Sequence, residues 1–218
     1  MLRRRTLVVA AATFALAAVP AIVARQSHAG HYVQPAPVCG TARWPVKTLA
    51  DSAAASIDTK PAPATVLGLT TLPAPEHVGD KLPRQAQFGG VEFKTYKLSV
   101  RLVGWKLSDN DSDIHVEVRG LFAPQTMVVE FPLAGCVAKS ASAANRAKMT
   151  QAKAAFLKAC GKTHQPSTSM RKLTGTATIN GVGFFDKSHG QGGGADNGIE
   201  LHPVLSFSST TCRTGALL

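Results

Sequence analysis

Aromatic side chains are scarce in this chain. Phenylalanine, tyrosine and tryptophan together make up 6% of its 218 residues. Surfaces that bind single-stranded nucleic acid combine exposed aromatic rings with basic groups. Phe184 and Phe185 are the best placed aromatics for such a surface, but because they are neighbours on a predicted strand at most one of them can face outward. The sequence therefore disfavours nucleic acid as a partner.

Several catalytic and metal-binding motifs are also missing. No G-x-S-x-G sequence is present, so the chain lacks the nucleophile turn of the α/β-hydrolases. The glycine-rich stretch at 189–198, HGQGGGADNG, has no following lysine and joins two predicted strands, which argues against a P-loop. No C-x-x-C pair exists, which disfavours a structural zinc site.

An acidic turn with aspartates at 109, 111 and 113 resembles the opening of an EF-hand calcium loop. Ile114 and Gly120 stand where that loop requires glycine and glutamate. A solvated hairpin turn is the simpler interpretation, and a looser calcium site between two strands is the alternative.

Only one long apolar run is present, at residues 7–23. Three arginines precede it and a small-x-small sequence ends at Ala29, so residues 1–29 are predicted to be a secretory signal peptide. An uncleaved anchor is the alternative. Because no second apolar run follows, we expect a secreted or periplasmic mature chain without a transmembrane span. Cleavage would remove four of the 24 basic residues and none of the 13 acidic ones, which lowers the formal charge from +11 to +7. That charge favours an anionic partner or surface without deciding it.

Four cysteines follow the predicted cleavage site. An even number of cysteines in an exported chain predicts two disulfides. Four cysteines allow three pairings, and sequence alone cannot choose among them. We expect Cys136–Cys160, which would span a predicted helix, and Cys39–Cys212, which would join the two ends of the domain.

Residues 30–90 are rich in proline, alanine and glycine. This composition predicts an extended arm that wraps over the domain, and not a domain of its own. One strand is expected within the arm at residues 44–49. A short helix is expected at 66–72, because Thr65 can cap its first turn and Pro73 would end it.

From residue 91 the hydrophobic pattern becomes regular. Apolar and polar residues alternate with the period of half-buried strands. A single long helix is predicted at 143–160 from apolar residues at helical spacing and from Gly161 at its end. The sequence therefore predicts mainly β structure with one long helix, in the order β-β-β-α-β-β. This order is typical of a five-stranded OB-like barrel, which we expect over residues 91–212 with the arm as an N-terminal extension. A generic α+β sandwich is the alternative. Strands are predicted at 96–102, 114–118, 126–131, 173–186 and 199–208.

Acidic and imidazole side chains occupy outward positions of two predicted strands. Asp113 and His115 are two positions apart on the second strand, so both leave the face opposite the core, and Glu200 and His202 do the same on the last strand. The glycine-rich loop that joins the last two strands can lean toward that face. The candidate binding residues are Asp113, His115, Asp186, His189, Asn197, Glu200 and His202.

Imidazole and carboxylate groups together form a common ligand set for a divalent metal. The same groups could serve as general acids and bases, because histidine titrates near neutral pH. The alternative is structural: each acid–histidine pair would form local hydrogen bonds that fix the strands and the loop. The candidate metal ligands are His115, His189, His202, Asp186 and Glu200.

Four segments of the chain carry a resemblance: residues 43–48 (RWPVKT), 113–115 (DIH), 126–132 (TMVVEFP) and 181–205 (GVGFFDKSHGQGGGADNGIELHPVL). Together they resemble a family of uncharacterised exported bacterial proteins over about residues 40–207. The resemblance implies a single domain that includes the proline-rich arm, and it implies no activity. A weaker analogy, at the level of the fold alone, is to staphylococcal-type nucleases, in which arginines grip the phosphate. Arg101 and Arg119 occupy outward positions that would suit this role.

These observations favour two functions. The first is a secreted binding module without enzymatic activity, with an unknown ligand and a site beside the 186–198 loop, on the outer face of the second and fifth strands. The second is a metal-dependent hydrolase, phosphodiesterase-like or nuclease-like, in which a divalent ion would lower the pKa of a bound water. An envelope protein that docks on a partner is a third hypothesis.

Overall fold

The structure, a computed structural model, describes residues 39–108, 111–161, 167–187 and 192–217. The predicted signal peptide, residues 1–29, lies outside the described residues. Short 3-10 helices cover Ser52–Ser56, Val91–Phe93 and Ala134–Cys136. The helices are α1 (Trp44–Lys47), α2 (Val66–Thr70), α3 (Gln87–Gly90, an irregular single turn) and α4 (Ala143–Cys160). The strands are β1 (Asp58–Ala64), β2 (Lys94–Leu107), β3 (Ile114–Gly120), β4 (Thr126–Phe131), β5 (Arg171–Thr174), β6 (Thr176–Phe185), β7 (Ile199–Ser208) and β8 (Arg213–Leu217).

Five of these strands close into a barrel. The pairing runs from β2 to β3, β4, β7 and β6 and returns to β2. All of these pairs are antiparallel except β4 and β7, which run parallel with Val128 opposite Glu200. The long helix α4 follows the third barrel strand in sequence and precedes the fourth. The predicted fold class, mainly β with one long helix and a five-stranded OB-like barrel, is therefore confirmed.

Alternating apolar side chains fill the barrel. Ile114, Val116 and Val118 of β3 are fully buried, and so are Met127 and the other inward residues of β4. At one end of the barrel α4 closes the core through Phe156, whose ring centroid lies 5.1–5.4 Å from those of Phe131, Trp105 and Phe207. Burial of a large apolar side chain stabilises the fold by about 1.5–3 kcal/mol, so this aromatic group is a major part of the core.

The predicted limits of α4 agree with the structure, because its ends are marked by local signals. The Ser142 hydroxyl accepts a hydrogen bond from the Asn145 N–H at the N-terminus, and Gly161 follows the last turn. The predicted strand at 173–186 is instead divided into β5 and β6. Gly175 lies between them with φ 103°, and a Cβ atom there would collide with the Thr211 carbonyl. The break lets β5 pair with β8.

The arm contains helical turns where a strand was expected. Residues 44–47 form α1, and the prediction of a strand at 44–49 was wrong because Pro45 occupies the first turn, where its fixed φ suits a helix. The Thr48 N–H and hydroxyl then both donate to the Trp44 carbonyl. Helix α2 starts after Thr65, whose hydroxyl accepts from the Gly68 N–H as predicted, and ends at Thr70, two residues early.

A second apolar cluster joins the arm to the outside of the barrel. Leu49 and Ile57 of the arm pack with Val182 of β6, Leu205 of β7 and Met149 of α4. Further along the arm, β1 pairs in parallel with the first half of β2, although its sequence contains two prolines. Prolines are tolerated on such an edge strand because it has a side without ladder hydrogen bonds.

Two disulfides form, but the expected pairing was wrong. The bonds are Cys39–Cys136 and Cys160–Cys212, each with Cα atoms 5.3 Å apart. Cys160 ends an 18-residue helix about 27 Å long and bonds to Cys212, whereas Cys136 lies in the 3-10 helix before α4 and bonds to the arm.

The two disulfides indicate an oxidising compartment outside the cytoplasm. Among the helices of the described residues, none combines the length and apolar character needed to cross a membrane.

Candidate functional site

The outer face of the barrel carries a row of acidic and imidazole side chains. His115 of β3 lies directly opposite Glu130 of β4, so both side chains leave the same face of the sheet. Glu200 and His202 lie on β7, the strand that follows β4 in the barrel. Asp113 immediately precedes β3. We call Asp113, His115, Glu130, Glu200 and His202 the acid–histidine cluster.

His202 is the centre of this cluster. Its Nδ1 lies 3.0 Å from Glu130 Oε2 and 3.2 Å from Glu200 Oε1. Its Nε2 lies 3.2 Å from Asp113 Oδ2. On the other side of Glu130, His115 Nδ1 is 2.9 Å from Oε1. Three carboxylates thus surround one imidazole, and a second imidazole holds one of them in place.

The N-terminal arm covers the cluster. The Trp44 ring meets His202 edge-on with centroids 6.4 Å apart, and its Nε1–H donates to the Cys136 carbonyl at 2.9 Å. Lys47 lies beside the cluster, with its ammonium 3.1 Å from Asp186 Oδ2. The five cluster residues are consequently 0–6% exposed. The sequence predicts an open ligand surface at this face, but in the structure the arm occupies it.

Burial and the neighbouring charges shift the pKa values of the cluster residues in opposite directions. Burial would raise the pKa of Glu130, but hydrogen bonding from His115 and contact with His202 outweigh it and hold that pKa well below its ordinary value. Burial would lower the pKa of His202, but its contacts with Asp113, Glu130 and Glu200 hold that pKa well above its ordinary value. Glu130 and His202 are therefore an ionised pair near neutral pH.

The remaining ionisable groups behave differently. Burial raises the pKa of Asp113 to about 6, against the opposing contact with His202. Burial raises the pKa of Glu200 to about 7, helped by the negative charges of Glu130 and Asp186. Burial would lower the pKa of Lys47, but the surrounding carboxylates outweigh it and raise that pKa. The cluster thus has more carboxyl groups than cations to neutralise them, and part of that excess is removed by protonation.

Three polar atoms of the cluster are buried without a hydrogen-bond partner among the described residues. They are Asp113 Oδ2, His115 Nε2 and His202 Nε2. The first and third are within 3.2 Å of each other, yet they do not meet hydrogen-bond geometry. Asp113 Oδ2 and His202 Nε2 are an ion pair at this distance, whereas His115 Nε2 is orphaned, which is rare in folded proteins because it costs about 1–3 kcal/mol. Ligand atoms of Asp113, Glu130 and His202 all lie within 4.8 Å of one another, which is compatible with a shared metal ion.

The structure brings four of the seven predicted site residues together: Asp113, His115, Glu200 and His202. Asp186 is linked to this group through Lys47. His189 lies outside the described residues. Asn197 has a structural contact instead, because its amide donates to the Leu69 and Leu72 carbonyls and so ties the loop to α2.

Sequence reasoning missed three residues of the site. Glu130 could have been found, since strand alternation places it outward and opposite His115. Trp44 and Lys47 carried no comparable signal, because the arm reaches the barrel through contacts between distant positions, such as the 139 residues that separate Lys47 from Asp186.

A separate cleft of about 440 Å³ opens beside the glycine-rich loop. It lies between the end of α2, the turn that joins β3 to β4 and the loop residues that precede Asn197. None of its lining residues belongs to the acid–histidine cluster, so cleft and cluster are distinct features. The lining residues are Thr70, Thr71, Pro124, Gln125, Thr126, Gly194, Ala195 and Asp196.

Comparison with known proteins returned no family model, no curated protein and no solved structure that matches this chain. The resemblance of residues 181–205 to a family of exported bacterial proteins therefore stays a prediction. The geometry of the cluster is the remaining guide to function.

Proposed function

We propose that this protein is an exported binding module without enzymatic activity, and that its acid–histidine cluster holds a divalent cation. Asp113, Glu130 and His202 would be the ligands. The observation that carries the proposal is the close approach of Asp113 Oδ2 and His202 Nε2, which are buried and 3.2 Å apart and whose ion pair lacks hydrogen-bond geometry. Two ligand atoms at about 2.1 Å from one ion are separated by about 3 Å when they occupy adjacent coordination positions.

The charge balance supports a cation at this position. Asp113, Glu130 and Glu200 are buried carboxyl groups, and the ammonium groups of Lys47 and Lys153 are near them. Burial of unneutralised carboxylates is unfavourable, so the charge must be balanced by protons or by a bound cation. A divalent ion would supply the missing positive charge without protonating the ligands.

The groups behind the proposed ligands have the arrangement expected around a metal. The second ring nitrogen of His202 faces Glu200, which is not a proposed ligand, and the ligand Glu130 is held by His115. A carboxylate behind a coordinating histidine fixes its tautomer and orientation. One imidazole with two carboxylates suits Zn²⁺ or Mn²⁺ better than a soft metal that prefers thiolates.

Burial favours binding over hydrolysis. A hydrolytic metal needs a coordination position that water and substrate can reach. The three proposed ligands are at most 5% exposed, and the Trp44 ring lies against His202. A phosphodiesterase-like or nuclease-like reaction, the alternative function, would require the arm to leave this face.

Export rests on two observations of different kinds. Residues 1–29 have the composition of a signal peptide. The two disulfides favour an oxidising compartment, which a secreted or periplasmic location provides.

Metal analysis of the full chain tests the proposal. Protein produced by export should contain stoichiometric Zn²⁺ or Mn²⁺, or take it up after EDTA treatment and dialysis. Asp113→Asn and His202→Gln should each weaken binding at least tenfold, while the exposed controls Asp58→Asn and His77→Gln should bind like the wild type. Circular dichroism confirms that each variant is folded.

Two results would overturn the proposal. The first is wild-type protein that binds none of these ions at millimolar concentration. The second is a folded Asp113→Asn variant with unchanged affinity. Chelator-sensitive cleavage of a phosphodiester substrate would instead favour the alternative hypothesis, a metal-dependent hydrolase.

A further inference from the structure

The turn between β3 and β4 exposes an apolar tip. Residues 120–125, GLFAPQ, close the hairpin, with the Gly120 N–H donating to the Gln125 carbonyl. Phe122 at this tip is 98% exposed, whereas the other exposed large apolar residue of the described part of the chain, Leu67, is 43% exposed. A phenylalanine held almost wholly in water loses the free energy that its burial would provide, about 1.5–3 kcal/mol.

Two arginines lie at the base of the same tip. Arg101 of β2 and Arg119 of β3 are direct cross-strand neighbours, and both are exposed. Like charges in this position repel each other and destabilise the sheet. The Arg101 Nε–H donates to the Leu121 carbonyl, which fixes that guanidinium against the tip. Within the described residues, neither guanidinium forms an ion pair with a carboxylate.

Two acidic residues beside the hairpin, Glu117 and Asp196, form no ion pair with these arginines in the described part of the chain. Glu117, two positions before Arg119, is partly buried and packs under the glycine-rich loop at Gly193. Asp196 lies across the cleft that Pro124 and Gln125 line. The exposed phenylalanine and the two guanidinium groups thus lie at one end of the hairpin, which we call the hairpin tip: Arg101, Arg119 and residues 121–124.

We propose that the hairpin tip docks the protein on an anionic phospholipid bilayer. Phe122 would enter the interfacial region of the bilayer, and Arg101 and Arg119 would contact lipid phosphates. The formal charge of +7 that remains after removal of the predicted signal peptide would attract the exported chain to such a surface. This inference is independent of the proposed cation site, which lies on residues that the hairpin tip does not include.

A bilayer fits this feature better than the surface of another protein. A stable protein interface buries about 800 Å² on each partner around a packed centre. The hairpin tip offers one large, almost fully exposed apolar side chain, Phe122, which can enter a soft interface without a complementary pocket. Aromatic side chains at the bilayer interface and basic side chains near anionic headgroups are the two contributions that such docking uses.

Tryptophan fluorescence of a Phe122→Trp variant of the full chain tests the proposal. The natural tryptophans, Trp44 and Trp105, are buried, so quenching by brominated lipid reports on position 122. We expect strong quenching with phosphatidylglycerol vesicles at low salt, little with phosphatidylcholine vesicles, and reversal at high salt. Arg101→Gln or Arg119→Gln in the same background should each weaken vesicle binding about fivefold.

Two matched controls separate the tip from general attraction. Ala154→Trp places the reporter on the exposed side of α4, the helix whose Phe156 closes the opposite end of the barrel, and should not be quenched. Lys97→Gln removes one exposed charge about 13 Å along β2 from Arg101 and should weaken binding less than Arg101→Gln does.

The proposal is overturned if Phe122→Trp is not quenched by phosphatidylglycerol vesicles. Equal quenching by neutral vesicles would also overturn it, as would equal losses in Lys97→Gln and Arg101→Gln. Because the predicted signal peptide is the same in every variant, membrane association of that segment cannot produce these differences.

Discussion

Arg43 and Glu92 form a buried bidentate ion pair that fastens the arm to the barrel. The two guanidinium NH₂ groups lie 2.9 Å and 2.6 Å from Glu92 Oε1 and Oε2, and both side chains are at most 2% exposed. Glu92 also accepts from the N–H groups of Gln85 and Phe185, and Arg43 donates to the Phe185 carbonyl. The pair therefore connects the start of the arm, the entry to β2 and the end of β6.

Removing the carboxylate should strongly destabilise the protein. Glu92→Gln leaves the Arg43 guanidinium buried without its counter-charge, and breaking a buried ion pair in this way costs about 3–5 kcal/mol. Urea denaturation should show that loss in the free energy of unfolding. Asp58→Asn, at an exposed carboxylate of β1, is the matched control and should change it by less than about 0.5 kcal/mol. Equal effects of the two variants would contradict the role assigned to the pair.

Local signals explain what could be predicted from the sequence. The alternation of Ile114, Val116 and Val118 identified the inward face of β3, and β7 was predicted with its observed limits. Helix α4 was delimited by apolar residues at helical spacing and by Gly161. The barrel plan followed from the order of these elements, since few topologies accommodate three strands, a helix and two strands.

Contacts between distant residues explain what could not be predicted. Alternation showed that Asp113 and His202 face away from the core, but not that Trp44 would cover them. The disulfide partners were missed for the same reason, because pairing depends on where the ends of α4 lie in space. On an exposed face the acid–histidine cluster would be an open ligand surface. Because the arm covers that face, the cluster is a closed site.

The arm should depend on the Cys39–Cys136 disulfide. This bond joins the arm to the segment before α4, and the Trp44 indole donates to the Cys136 carbonyl. Replacing both cysteines by serine should lower the free energy of unfolding by about 2–5 kcal/mol and make Trp44 accessible to acrylamide quenching. The Cys160→Ser/Cys212→Ser variant should lose stability without exposing Trp44.

Peptide mapping under non-reducing conditions checks the connectivity directly. The expected cross-linked peptides contain Cys39 with Cys136 and Cys160 with Cys212. Recovery of a Cys136–Cys160 peptide as the main product would show that the arm is not fastened in this way.

The metal-free protein should be most stable in mildly acidic solution. Asp113 and Glu200 have folded pKa values of about 6 and about 7, above their ordinary values, so the folded state keeps protons that the unfolded state loses between about pH 4 and pH 7. Stability therefore falls as the pH rises through that range. The raised pKa of His202 changes the stability in the same direction. The stabilisation that protonated His202 provides is complete below the pKa of His202 in the unfolded state, and it is lost as the pH rises through the pKa of His202 in the folded state.

Glu130 sets the acidic limit. The pKa of Glu130 is lowered in the folded state. The stabilisation that ionised Glu130 provides is therefore present above the pKa of Glu130 in the unfolded state, and it is lost as the pH falls through the lower pKa of the folded state. In EDTA, the melting temperature should be higher near pH 5 than at pH 8, and Glu200→Gln should reduce this difference. A melting temperature that rises steadily from pH 5 to pH 8 would contradict the raised pKa values of Asp113 and Glu200.

Gly193 should be required where the glycine-rich loop returns to the barrel. Its φ is +78°, and a Cβ atom would collide with Cγ and Cδ of Glu117 on the outer face of β3. Gly193→Ala should therefore lower the free energy of unfolding by about 1–3 kcal/mol, measured by urea denaturation. Gly135→Ala is the matched control, because no atom lies within 4 Å of its Cβ position, and it should be close to neutral.

Adding Glu117→Ala to Gly193→Ala should recover the part of the loss that comes from the collision and leave the part that comes from φ. If Gly193→Ala were as stable as Gly135→Ala, the loop would not pack on Glu117 in solution.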